Sequence, residues 1–317
     1  MSNNIENLKG HSHGHHGHSH GSIDPSIASS KKGLWAVKWS FIALMITFIF
    51  QLIVVMYTGS VALLADTIHN LGDAVTAIPL GIAFLYSLKK ASKKFTFGYG
   101  RVEDIAGLII IVLILFSAVV AGYQSIERLL NPEPIKNITA VIIASIVGFI
   151  GNEAVAIFRI KVGKEIGSAA LIADGQHARI DGLTSLAVLF GALGVLAGFP
   201  LADPIIGLLI SVAIFKIVWD SSKLIFVRML DGIEPEIIEK IEVLLKDIPE
   251  ILEVSNVKAR WIGHQIHSQI YVIVNKNISI EEGHQIVEII EDTLMEKINY
   301  MSSVIVDLEP IDYHNHN

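Results

Sequence analysis

The sequence predicts an α-helical membrane protein with six transmembrane helices, followed by a small cytoplasmic α+β domain of ferredoxin-like type with the order αββαβ. Three observations predict it. Hydrophobic residues make up 52% of the 317 residues, charged residues only 17%, and the mean hydropathy is +0.55, against roughly 25% charged in ordinary globular domains. The apolar residues are gathered into six stretches, each long enough for the about 20 residues that a bilayer core requires. After Asp231 the long apolar runs stop, and short helical and alternating patterns replace them. Charge divides at the same point: Asp231 to Pro310 hold 16 acidic and 6 basic residues, a net −10 within a chain of net −7, which leaves the remainder near +3. No strongly basic patch points to nucleic acid. With no cysteine, disulfides and thiolate sites are excluded, and any metal must be held by nitrogen and oxygen.

Residues 1–33 are polar and rich in Gly, Ser and His, with six histidines between His11 and His20. They are expected to form a disordered cytoplasmic head and not a cleaved signal peptide. The head is expected to collect metal by rapid exchange among imidazoles, an inert solubilising tail being the alternative. The spans follow at Leu34 to Tyr57, Val61 to Tyr86, Val102 to Tyr123, Ile138 to Phe158, Ala169 to Leu196 and Ile205 to Phe226, within a transmembrane domain of residues 34–228. Their connectors are short, including a basic one from Lys89 to Arg101 and another from Arg159 to Lys164. A cytoplasmic N-terminus puts Lys89, Lys90, Lys93, Lys94, Arg101, Arg159, Lys161 and Lys164 inside and leaves Arg128 and Lys136 outside, as the positive-inside rule favours. Both termini are therefore expected in the cytoplasm, with the protein a multi-pass protein of the cell membrane. The cytoplasmic domain, residues 229–310, reads as a helix at Glu236 to Leu245, strands at Glu253 to Trp261 and His267 to Asn275, an amphipathic helix at Ser279 to Ile298, and a strand at Val304 to Leu308. A domain this small and acidic is more comfortably stable as a dimer. The tail, 311–317, carries His314 and His316, for which the sequence suggests no role.

Two spans carry ionisable residues with one spacing, Asp-x-x-His-x-x-x-Asp: Asp66, His69 and Asp73 in the second, and Asp174, His177 and Asp181 in the fifth. Positions i, i+3 and i+7 share a helix face. Each such group near the bilayer centre costs roughly 2.5–3.5 kcal/mol, so six of them are expected to meet one another, water or a cation. If the two faces meet, His69, Asp73, His177 and Asp181 supply two nitrogens and two oxygens, a set that suits tetrahedral zinc. Cadmium or cobalt fits the same ligands, and plain interhelical hydrogen bonding is the alternative. Asp66 and Asp174, one turn away, are expected to orient a ligand histidine or to serve a helix contact. Arg179 lies about 200° round the helix from His177 and is expected to pair with an acid or to snorkel.

At this point the chain resembles the cation diffusion facilitators, divalent-metal transporters with six membrane helices and a metallochaperone-like cytoplasmic domain. The resemblance rests on YTGSVALLAD (Tyr57 to Asp66), the HxxxD at His69 and Asp73, FTFGYGRVE (Phe95 to Glu103), the HARID stretch with His177 and Asp181, LADPIIGL (Leu201 to Leu208) and the ending at Pro310. It covers about residues 35 to 310. It implies a homodimer that moves metal out of the cytoplasm by alternating access against inward protons, and His plus Asp on both helices resembles the zinc-preferring members. The chemistry independently favours the exchange, because neutral imidazole and ionised carboxylate bind either metal or proton.

The resemblance also marks departures. A second family site in the loop between the second and third spans would fall on Ser92, Phe95 and Tyr99, none a good zinc ligand, so that site is expected to be absent. The loop's four lysines read as cytoplasmic surface or as contacts to anionic headgroups. The family's cytoplasmic-domain site would fall on His284, Asp307 and Glu309, with His264 and His267 near enough in sequence to assist, an oxygen-rich set whose role would be regulatory; surface polar residues are the alternative. Arg101 and Asp231 match positions that pair as a hinge lock in the family. No enzyme activity is expected, since the HExxH pattern of a membrane metalloprotease is missing around His69. The leading expectation is a zinc exporter driven by protons, with no cofactor beyond the metal. The other class is a sensing or partner subunit that binds zinc without moving it.

Overall fold

In the computed structural model of the chain, residues 25–58, 77–131, 138–199 and 201–311 are described. The helices are α1 (Pro25–Thr58), α2 (Ala77–Ser87), α3 (Arg101–Leu130), α4 (Ile138–Ile166), α5 (Ala169–Leu196) and α6 (Ala202–Met229). Five of them are long and apolar enough to cross a membrane, while α2 is described only from Ala77 to Ser87; the rest of the second expected span lies outside the described residues. The side chains that point away from the bundle are large and apolar, Phe116, Val212 and Trp219 among them. Exposed apolar surface on this scale belongs against lipid. Inside the bundle, Leu80, Phe84, Ile110, Ile114, Leu171 and Ile214 form the core.

Two boundaries differ from expectation. The first helix is described from Pro25, so residues 25–33 are helical and not part of an unstructured head. The fourth helix does not stop at Phe158 but runs through Arg159–Lys164 to Ile166. Nothing between Ile138 and Ile166 breaks a helix, and the turn comes at Gly167, whose φ of +73° is left-handed. Ser168 then caps α5, accepting a hydrogen bond from the Leu171 amide at 3.0 Å. With a two-residue turn between them, α4 and α5 pack antiparallel and very closely: a Cβ on Gly163 would lie 3.0 Å from the Ile172 amide, and one on Gly175 would lie 2.9 Å from the Ile160 amide.

The C-terminal domain follows α6 through Asp231, a left-handed residue with φ +60°. It comprises α7 (Pro235–Lys246), β1 (Glu253–Ile262), β2 (Gln265–Val274), α8 (Ile280–Lys297) and β3 (Met301–Pro310), the αββαβ order expected. β1 pairs antiparallel with β2 and β2 parallel with β3, giving the order β1-β2-β3. A parallel pair needs a crossover, and α8 is that crossover. A capping box starts α8, with Ser279 and Glu282 each bonding the other's backbone amide. The helices cover one face of the sheet, burying Ile241, Leu245, Ile270, Ile290 and Leu294. β1 and β2 turn through only Gly263 and His264, and Gly263 takes φ +62°.

Candidate metal centre

α5 delivers the site. Its first turn is fixed by the Ser168 cap, and from there small residues, Ala170, Ala173, Gly175, Ala178 and Gly182, let neighbouring helices approach. His177 and Asp181, one turn apart, are 3% and 4% exposed, and the His177 Nε2 lies 3.8 Å from the Asp181 Oδ2. They present a buried imidazole and a buried carboxylate on one face of α5. The other two expected ligands, His69 and Asp73, and Asp66 beside them lie outside the described residues. Among the described residues, no three His, Asp or Glu side chains are gathered as a metal would require.

Asp174 and Arg179 have partners that the sequence placed only in outline. Asp174, fully buried, lies 2.9 Å from the Nη1 of Arg159, which is 1% exposed. Arg159 was expected on the cytoplasmic surface; the continuation of α4 brings it instead beside α5 inside the bundle. Arg179 pairs with Glu153 of α4, Nη2 to Oε1 at 2.8 Å and Nε to Oε2 at 3.3 Å. The two bridges join α4 and α5 on either side of His177. The signal for Arg159 is the unbroken helical run up to Gly167.

The residues expected to form a cytoplasmic-domain site do not converge within the chain. His284 is exposed on α8 and faces Glu288 at 3.5 Å. It lines a groove of about 430 Å³ with Ile280, Leu308 and Pro310. Asp307 and Glu309 sit on β3, opposite Tyr271 and Ile273 of β2. His267 faces Arg260 across the β1–β2 pair, and burial, with Arg260 and Arg101 adding, holds its imidazole pKa below the usual value. His264 is turned the other way: at 3% exposure it reaches into the membrane domain, its Nδ1 2.6 Å from the Glu103 Oε2 and its Nε2 3.3 Å from the Ser30 Oγ. Both ring nitrogens face partners outside its own domain. In the loop after α2, the Phe95 amide donates to the Ser92 hydroxyl, which lies 3.3 Å from the Tyr99 hydroxyl.

The junction between the domains is polar, with Arg228 and Trp261 buried at its centre and Arg101, Asp231, Arg260 and Glu234 more exposed around them. Arg101 bonds Asp231 and donates to the Arg228 carbonyl at 3.1 Å, and Arg260 reaches Asp231 at 3.2 Å. Arg228 donates to the Gly167 carbonyl at 2.6 Å and lies over the Trp261 ring. The Trp261 indole donates to Glu234 at 2.7 Å, and the Tyr300 hydroxyl to the Lys164 carbonyl at 2.8 Å. Arg101 and Asp231 were expected to meet; Arg228, Arg260 and Glu234 were not singled out in the sequence, because their partners are remote in the chain.

A lipid-facing helix bundle with a paired His and Asp inside it, joined to a small α+β domain, defines an integral membrane protein of the cation-transporter class. The chain belongs to the cation efflux family: residues 37–227 match the family described as "Cation efflux transmembrane domain", and residues 233–311 match "Cation efflux protein, cytoplasmic domain". It is 46% identical over 260 residues to the "Probable cation efflux system protein" Rv2025c of Mycobacterium tuberculosis, a match covering 82% of this chain and 78% of that one. It is 26% identical over 234 residues to the "Cation-efflux pump FieF" of Shewanella oneidensis, covering 74% and 79%. It is also 26% identical over 255 residues to the "Magnetosome protein MamB" of Magnetospira sp., covering 80% and 87%. Among solved structures, MamM-CTD is 22% identical and covers 24% of this chain and 96% of that one, with a TM-score of 0.23.

Proposed function

We propose that this protein exports zinc from the cytoplasm in exchange for protons, working as a homodimer by alternating access with both termini in the cytoplasm. The observation that carries the reading is the buried His177 and Asp181 on one face of α5. His69 and Asp73 of the second span would complete a tetrahedral set of two nitrogens and two oxygens. Imidazole suits zinc, cadmium or cobalt better than magnesium. The same ligands release metal when they take up protons, so the coupling needs no further group. Asp66 would support the histidine of its own helix, while Asp174 is held by Arg159. The head, with its six histidines, would feed metal to the cytoplasmic side, and a second copy could bring His284, Asp307 and Glu309 of two chains together as a regulatory site.

The test is purified full-length protein in liposomes, with zinc flux and internal pH followed together. The expected result is zinc movement coupled to opposite proton movement, abolished by Asp181→Ala and Asp73→Ala. Zinc binding without flux under a pH gradient would assign the chain to the sensing class instead. Flux unchanged by His177→Ala would remove that residue from the site.

A further inference from the structure

The β1–β2 turn of the cytoplasmic domain is seated among the ends of the membrane helices. Gly263 has φ +62°, and a Cβ there would lie 2.7 Å from the Gly100 carbonyl oxygen; only glycine permits this approach. The Gly263 amide donates to the Asp104 carboxylate at 3.2 Å. His264, the next residue, meets Ser30 of α1, Phe84 of α2 and Glu103 of α3. Glu103, 1% exposed, holds His264 with one carboxylate oxygen and accepts the Ser168 hydroxyl hydrogen bond with the other. Ser168 is also the N-cap of α5. One carboxylate therefore links the tip of the cytoplasmic domain to the start of the helix that carries His177 and Asp181.

We propose that His264 and Glu103 are positioning residues for metal movement: the turn is a latch, and through Ser168 it fixes the first turn of α5 and couples the cytoplasmic domain to that helix. This rests on the reading of His177 and Asp181 as metal-holding. The chain from His264 to Ser168 is made of buried hydrogen-bonded groups, so withdrawing the turn leaves Glu103 buried without its imidazole partner. By this route a movement of the cytoplasmic domain brings a corresponding change at the α5 cap, which is what coupling between two sites requires. The latch is distinct from the Arg101 and Asp231 contact, which ties α3 to the end of α6 and does not touch α5.

The test uses the full-length protein with zinc as the probe. His264→Ala, Glu103→Ala and Ser168→Ala are compared with the conservative His264→Gln and Glu103→Gln, which can still hydrogen-bond across the same gap. The alanine variants are expected to lower the maximal zinc transport rate about tenfold, with KM and equilibrium zinc binding changed by less than about threefold. Deuterium exchange at the amides of Ala169 to Ala173 should rise in each alanine variant, while β2 stays protected. The His264→Ala, Glu103→Ala double variant should be no slower than the slower single. The glutamine variants should recover most of the rate. Should one alanine variant fail to fold, the other two carry the test with the same readouts. Rates within about twofold of the parent, additive losses, or a slower rate with no change in exchange at the start of α5 would overturn the latch. Transport that survives Asp181→Ala would instead overturn the metal assignment, and the exchange readout of the latch would stand apart from it.

Discussion

Removing the Asp174 carboxylate should destabilise the membrane domain more than removing any other single polar group on α5. Arg159 and Asp174 are 1% and 0% exposed and 2.9 Å apart, and among the described residues the Arg159 Nε and Nη2 have no further hydrogen-bond partner. Asp174→Ala therefore leaves a buried guanidinium without its counter-charge, a loss of about 3–5 kcal/mol. Against a typical total stability of about 5–15 kcal/mol, that is about a fifth or more of what holds a domain folded. Replacing both partners, Arg159→Met with Asp174→Leu, removes the charge as well as its partner and should return the protein to within about 1–2 kcal/mol of the parent. The assay is unfolding of the purified full-length protein in detergent, followed by the fluorescence of its 4 tryptophans, with zinc flux measured on the same preparations. The double variant is expected to retain flux, because Asp174 is held by Arg159. A single variant that costs under about 1 kcal/mol, or a double variant no better than the single, would refute the argument. A stable double variant without flux would return Asp174 to a role at the metal.

Three further outcomes follow from the C-terminal domain and its junction. Gly263→Ala should destabilise the protein by about 2 kcal/mol, from the left-handed φ together with the Gly100 contact, and thermal unfolding reads it. Ser279→Ala removes the side-chain half of the capping box on α8, the hydroxyl that accepts from the Glu282 amide, and should lower stability by about 1 kcal/mol, with Ser279→Asp restoring most of it by chemical denaturation. His267 titrates below its ordinary 6.5 in the folded protein because it is buried near Arg260 and Arg101. The unfolded chain therefore takes up the proton first, so this residue's contribution is present above about pH 6.5 and is lost as pH falls towards the folded value. In chelator, His267→Gln should flatten the fall of melting temperature between about pH 6.5 and 5; an unchanged slope would show that other groups dominate.

The apolar stretches and the αββαβ order were legible because each depends on local period alone, and the strands β1 and β2 lie within a residue or two of where alternation places them. The Asp-x-x-His-x-x-x-Asp spacing was legible for the same reason: i, i+3 and i+7 share a face whatever surrounds them. What surrounds them was not legible. Arg159 read as a surface charge, since a positive residue after an apolar run normally marks the membrane edge, and only the continuation of α4 to Gly167 shows that it lies inside. His264 read as an accessory ligand for its own domain, because its sequence neighbours are strand residues. Its actual partners, Ser30 and Glu103, lie 234 and 161 positions away, and no periodicity encodes them. The glycines at 100, 167 and 263 gave a hint, since each stands where a side chain would strike the facing domain.

The close seating of α4 against α5 limits how the protein can move. With Gly163 and Gly175 bringing backbone to within a Cβ's reach of the other helix, and ion pairs at Asp174 and Arg179 on the same seam, the two helices have no slack to slide or rotate past each other. They must travel as one lever, so a displacement at the Lys164 end reaches His177 undiminished. With α3 tied to the start of α5 through Glu103 and Ser168, a reporter pair placed across α5 and α6 should see the transport cycle, whereas one placed across α4 and α5 should stay silent.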